Sequence, residues 1–224
     1  MRVYIDKFIA AKKLMEDEVF KAKMHDFKLK AMWADADRLM KKKKWTECGA
    51  AFEEMAQRFP GGSNLDTFFW NAGTCYEAAG MLGPAVSMRR KIVRNYPKSK
   101  HAALAMYYMA GNYHNLAFFK DAAKWYEKFF DTHKKHKEAA NALMWGIVLR
   151  GGLGDERRMM RNAANFIQRY KFGKKKKSAK AFWLVVKMYE HQGDEDKFMI
   201  NLSRYARGYG TAGDVDKAIE AYSR

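Results

Sequence analysis

The chain has 224 residues, and its 43 Lys+Arg against 25 Asp+Glu leave 43 − 25 = +18. Hydrophobic residues make up 48% of it, enough to bury a continuous core, so the charge does not signal disorder. Three prolines, no alternating Val/Ile/Thr runs and abundant Ala, Leu, Met, Lys and Glu exclude a sheet protein and predict an all-α fold. No apolar run reaches the roughly eighteen residues of a membrane-spanning helix.

The chain opens Met1-Arg2-Val3-Tyr4-Ile5-Asp6-Lys7, which is amphipathic and lacks the apolar core of a signal peptide. Residues 3–42 read as one long helix or two with a tight break, the first 28 forming a leading helix. Helix hairpins are predicted at about 29–59, 64–96, 99–132, 137–170 and 177–208, separated by turn signals such as Pro60-Gly61-Gly62-Ser63 and Gly151-Gly152-Leu153-Gly154-Asp155. Asp155 and Asp194 each precede a helix whose free N–H groups a carboxylate can accept. Residues 209–224 begin a further helix without a partner, so residues 1–224 are expected to be a single solenoid cut from a longer protein. Spacing leaves the helix phase between 171 and 224 open.

These hairpins share a repeat. Phe59-Pro60 and Tyr96-Pro97 lie 96 − 59 = 37 residues apart, and upstream of them Ala36, Leu39, Cys48 and Phe52 share offsets with Gly73, Tyr76, Ala85 and Arg89. A third copy carries Gly111, His114, Ala122, Tyr126 and Phe129, with Thr132-His133-Lys134 where the proline should be. A weaker fourth carries Gly146, Leu149, Met159, Ala163 and Phe166. Small residues at Ala36, Gly73, Gly111 and Gly146 let helix backbones approach, while larger neighbours fill the space beside them. The pattern resembles the tetratricopeptide repeat, a helix-turn-helix unit of about 34 residues, in a longer and less regular form. The resemblance implies a right-handed superhelical solenoid of about five antiparallel hairpins that acts as a scaffold. Arg58-Phe59-Pro60-Gly61-Gly62 and Asn95-Tyr96-Pro97-Lys98-Ser99 look like the bacterial envelope subgroup, which includes outer-membrane assembly lipoproteins and Tol-Pal partners.

Few residues suggest chemistry. Phe172-Gly173-Lys174-Lys175-Lys176-Lys177-Ser178 lacks the second glycine and the preceding strand of a phosphate loop. The six histidines have no metal-ligand spacing, and no nucleophile or paired acid and base stands out; no cofactor, metal or catalysis is expected. Cys48 and Cys75 read as two buried thiols acting as small hydrophobes, with a disulfide in an oxidising compartment as the alternative. Lys134, Lys135 and Lys137, with Lys174, Lys175, Lys176 and Lys177, form basic inter-hairpin turns that attract an acidic protein surface, anionic lipid or nucleic acid.

In the repeats that this chain resembles, the first helix of each hairpin lines a concave groove. Carrying those offsets over gives Trp33, Asp37, Met40, Trp70, Glu77, Tyr108, Asn112, Asn115, Ile147 and Arg150, with Trp183, Lys187 and Glu190 as looser equivalents. Asn112 and Asn115, one turn apart, suit a clamp on a peptide backbone, and the aromatics supply flat contact area. The expected function is non-catalytic protein–protein scaffolding within a bacterial envelope or motility assembly, periplasmic in preference to cytoplasmic. The alternative is a basic helical-repeat protein that binds RNA.

Overall fold

The computed structural model describes residues 5, 7, 17–62, 64–170 and 176–209, and among them the chain is all-helical. Among the described residues ten helices have defined limits: α1 (Glu18–Lys41), α2 (Trp45–Arg58), α3 (Leu65–Ala78), α4 (Leu82–Asn95), α5 (Ala102–Asn115), α6 (Phe119–Thr132), α7 (Ala139–Gly152), α8 (Glu156–Tyr170), α9 (Lys176–Gln192) and α10 (Glu195–Tyr209). They fall into two compact units, Met1–Asn112 and Tyr113–Arg224. Each unit is a run of antiparallel hairpins in which a helix packs on the one before it: α1 on α2, α2 on α3 and α3 on α4 in the first; α6 on α7, α7 on α8, α8 on α9 and α9 on α10 in the second. α1 begins at Glu18 because Asp17 caps it, its carboxylate accepting from the N–H groups of Val19 and Phe20.

The repeat is stricter than the sequence suggested. First helices begin at Leu65, Ala102, Ala139 and Lys176, and second helices at Trp45, Leu82, Phe119 and Glu156, every step being 37 residues. The last hairpin departs from this period, its second helix starting at Glu195, 195 − 156 = 39 residues after Glu156. The turn within each hairpin nevertheless keeps one conformation. Lys43, Gly80, Ala117, Gly154 and Gly193 all adopt positive φ, between 55 and 73°. Around each, two hydrogen bonds close the preceding helix: at Gly80 its own N–H donates to Glu77 O and that of Met81 to Tyr76 O. Glycine takes this left-handed conformation freely, whereas Lys43 and Ala117 pay a steric penalty. Ala117→Gly is therefore expected to raise stability by about 1 kcal/mol in chemical denaturation, the reverse of the usual effect of glycine.

The turns between hairpins also share one geometry. The N–H groups of Phe59, Tyr96 and His133 donate back to Met55, Ile92 and Phe129, and those of Gly62, Ser99 and His136 donate to Phe59, Tyr96 and His133. The third turn keeps this form without a proline. Asp155 and Asp194 accept from the N–H groups of Arg158 and Lys197, as capping predicted.

Strict spacing corrects the alignment of the third and fourth copies. Counting 37 from Gly73 leads to Ala110 and then Ile147, both fully buried, instead of Gly111 and Gly146. Ile147 is thus a core residue and not a groove residue. The same count carries Tyr76 to Tyr113 and then to Arg150.

Cys48 and Cys75 are joined by a disulfide, with Cα atoms 5.8 Å apart, and are not the free thiols expected. The bond ties α2 to α3 within a core that includes Met32, Ala36, Phe52, Met55, Phe68 and Tyr76. Beside it, Gly49 is the position where α2 most needs glycine. A Cβ there would lie 2.6 Å from two ring atoms of Tyr76. That ring is held, because its hydroxyl donates to Glu53 at 2.8 Å. Burial, then the Glu53 carboxylate, push the Tyr76 phenol up to about 12. Gly49→Ala is expected to cost about 1–3 kcal/mol in a denaturant melt. Gly73→Ala, whose Cβ would meet nothing closer than 3.4 Å, should cost far less.

Candidate partner-binding surface

The first unit gathers a set of aromatic and charged side chains around one arginine. Arg89 sits on α4 and is 1% exposed. It can be buried because Glu77, on the facing helix α3, accepts from its Nη2 at 2.5 Å. Asn112 of α5 completes the pair: its amide nitrogen donates to Glu77 Oε1 and its oxygen accepts from Arg89 Nη1, each at 2.7 Å, in the orientation that these neighbours require. A buried guanidinium needs such partners on more than one side, since an unpaired charge out of water costs several kcal/mol.

The aromatic side chains lie over this pair. The guanidinium carbon of Arg89 is 5.2 Å from the ring centroid of Tyr108 and 5.9 Å from that of Trp70, within range of cation–π attraction. Trp70 stacks on His101 at 4.9 Å and meets Tyr108 at 5.9 Å. Burial lowers the tendency of His101 to protonate, outweighing the nearby Asp66 carboxylate. The turn that carries His101 is fixed to α3, because Ser99 Oγ bonds Asp66 and the His101 N–H donates to Ser99 Oγ. Tyr108 remains 41% exposed. The result is a rigid aromatic shelf with one open face, supported from below by ionised groups.

Four of the sequence-derived groove residues, Trp70, Glu77, Tyr108 and Asn112, thus come together. Asn112, however, is 1% exposed with both ends of its amide engaged, so it supports the shelf and is not free to clamp a peptide. Asn115 is exposed. Trp33 is 37% exposed and its ring meets Phe52 edge-on at 5.4 Å, so it belongs partly to the core. Asp37 pairs with Lys41 at 2.6 Å along its own helix. Lys187 bonds Glu190 at 2.7 Å and lies 5.3 Å over Trp183.

Arg150 is 2% exposed and faces inward, as its register with Tyr76 requires. It grips Glu127 with two hydrogen bonds, Nε to Oε1 at 2.9 Å and Nη2 to Oε2 at 2.8 Å. Asn162 adds a third to the same carboxylate at 2.8 Å. Lys134, Lys135 and Lys137 are exposed in the turn before α7, and the carbonyl of Lys134 accepts from Arg169. Lys174 and Lys175 lie outside the described residues. Lys176 and Lys177 form the first positions of α9 and not a turn. Sequence reasoning missed Arg89 and His101; Arg89 carried a signal, a charge at an offset that Phe52 fills one repeat earlier.

Residues 68–99, from Phe68 in α3 through α4 to Ser99, match the tetratricopeptide repeat family. A tetratricopeptide repeat protein from Parabacteroides merdae superposes with a TM-score of 0.59 at 13% identity, over 80% of this chain and 66% of that one. The fold is a tetratricopeptide-repeat fold. The chain spans just under two thirds of that protein. MamA superposes with a TM-score of 0.58 at 15% identity, over 87% of this chain and 92% of its own. YrrB, a tetratricopeptide-repeat protein with an unusual peptide-binding site, gives 0.56 at 15% identity over 96% of both chains. No curated protein matches the sequence.

Proposed function

We infer that the chain is a non-catalytic scaffold that binds a peptide or helix of a protein partner on the Trp70–Tyr108 shelf. The observation that carries this reading is an aromatic surface, with Tyr108 exposed, held in place by the buried Arg89 and Asn112 and their shared partner Glu77. Rigid aromatics supply contact area at low entropic cost, which is how hot spots in interfaces form. Proteins with tetratricopeptide repeats generally act in protein–protein interaction, and YrrB is a peptide-binding example of the fold. An excess of 18 positive charges favours partners with acidic segments by raising encounter rates.

The setting in which this scaffold works is a bacterial assembly of the envelope, on the two turn motifs and the Cys48–Cys75 bond, since disulfides persist in oxidising compartments such as the periplasm. Affinity capture with the wild-type chain, followed by titration of each captured partner against Tyr108→Ala, tests the shelf. Loss of affinity by tenfold or more, with an unchanged melting curve, is the expected result for an aromatic anchor. A partner that binds Tyr108→Ala and Trp70→Ala as tightly as wild type would place the site elsewhere.

A further inference from the structure

A second surface, in the other unit, is built differently. The first turns of α6 and α8 border two overlapping cavities of about 400 and 780 Å³. Lys120 and Lys124 of α6 and Arg157, Arg158 and Arg161 of α8 line them. Lys120, Lys124 and Arg157 are exposed and have no acidic partner among the described residues. Arg158 and Arg161 keep 50% and 58% of their side chains in solvent, at 3.5 and 4.0 Å from carboxylates that other groups already hold.

Three carboxylates also line the cavities, and two are engaged. Glu127 is gripped by Arg150 and Asn162 on the floor, and Asp155 caps α8 while contacting Arg150 and Arg158. Asp121, on the first turn of α6, is the third. Counting Arg150, six cations against three anions leave 6 − 3 = +3 around the space.

The backbone adds to this field. α6 begins with no side-chain cap, Phe118 occupying the capping position. Its first N–H groups and the positive end of its dipole therefore lie beside Lys120, whereas the start of α8 is already capped by Asp155. No aromatic side chain lines either cavity, so nothing there would stack a base, as single-stranded nucleic acid requires.

We propose that this cleft is a binding site for a compact anion bearing adjacent phosphate groups. Phosphate suits it better than a run of carboxylates: several guanidinium forks and the uncapped start of α6 converge on one small volume, and a phosphate presents three acceptor oxygens to them at once. The site is separate from the aromatic shelf and does not depend on it.

Isothermal titration of the whole chain with inorganic pyrophosphate at about 150 mM salt, where long-range attraction is screened, tests the proposal. One-site saturation is expected, with affinity falling by about tenfold or more in Lys124→Gln plus Arg158→Gln. Both residues are exposed, and a circular dichroism melt checks that the variant folds. Lys135→Gln plus Lys137→Gln removes the same charge outside the cavities and should leave affinity unchanged. Equal weakening by the two pairs, or no saturation below about 10 mM, would overturn the site, because either result reduces it to general surface charge. Sedimentation with vesicles containing a phosphatidylinositol bisphosphate separates the sources of phosphate. Co-sedimentation lost in the cleft variant assigns a lipid headgroup. Pyrophosphate binding without co-sedimentation assigns a soluble ligand.

Discussion

Glu127→Ala is expected to lower stability by about 3–5 kcal/mol. The size follows from what remains behind. Arg150 is 2% exposed, and without Glu127 its guanidinium would keep only a 3.4 Å contact with Asp155. Asn162, also buried, would lose the acceptor of its amide. Arg150 cannot neutralise itself, because a guanidinium keeps its proton even when it is out of water. Glu127→Leu with Arg150→Met should recover most of the loss, since removing both charges leaves no orphan.

The same pair predicts a pH dependence with a definite sign. Burial pushes the Glu127 carboxyl up, but the hydrogen bonds from Arg150 and Asn162 and the guanidinium charge outweigh it and hold it below the ordinary 4.5. A folded value below the unfolded one means that the unfolded state takes up the proton first. The stabilisation is therefore complete above 4.5 and is lost as pH falls through the folded value. Wild type should lose stability below pH 4.5 more steeply than Glu127→Ala in urea melts followed by circular dichroism. Parallel slopes would show that the carboxylate is not the group that matters.

Arg150 also shows where the sequence stops being readable. Hairpin limits could be placed from turn residues, because Gly80, Gly154 and Gly193 mark backbone positions that favour glycine, and the 37-residue step was visible between Phe59 and Tyr96. Ala110-Gly111 and Gly146-Ile147 offered neighbouring small or apolar residues at the same approximate offset, and composition cannot choose between neighbours on a helix. Choosing Gly111 and Gly146 shifted each copy by one residue, or about 100° around the helix, which turned Arg150 from core to groove. In the first unit the alignment holds up to Glu77, and Trp70 and Glu77 both lie beside Arg89. Asn112 was misread through the same shift, and for a second reason as well. Its partner, Arg89, replaces an aromatic core residue, and a buried ion pair is defined by contacts between distant segments that periodicity does not encode.

Reducing the Cys48–Cys75 bond is expected to cost the first unit about 3.5 kcal/mol. The bond closes a loop of 75 − 48 = 27 residues, and the estimate is the chain entropy that such a loop removes from the unfolded state. Little native enthalpy should be lost, since both cysteines are fully buried between α2 and α3 and a thiol packs there as a small hydrophobe. Denaturation with and without reductant measures the difference, and Cys48→Ala plus Cys75→Ala should behave like the reduced chain and be insensitive to reductant. Thiol titration of the unreduced, denatured protein should find no free cysteine. Finding two would remove the bond and, with it, one of the two supports for the proposed envelope setting, leaving that proposal on its turn motifs alone. A full 3.5 kcal/mol effect would instead mean that the unit carrying the aromatic shelf gains much of its margin from oxidation, because a margin of this size is a large part of what an ordinary domain possesses.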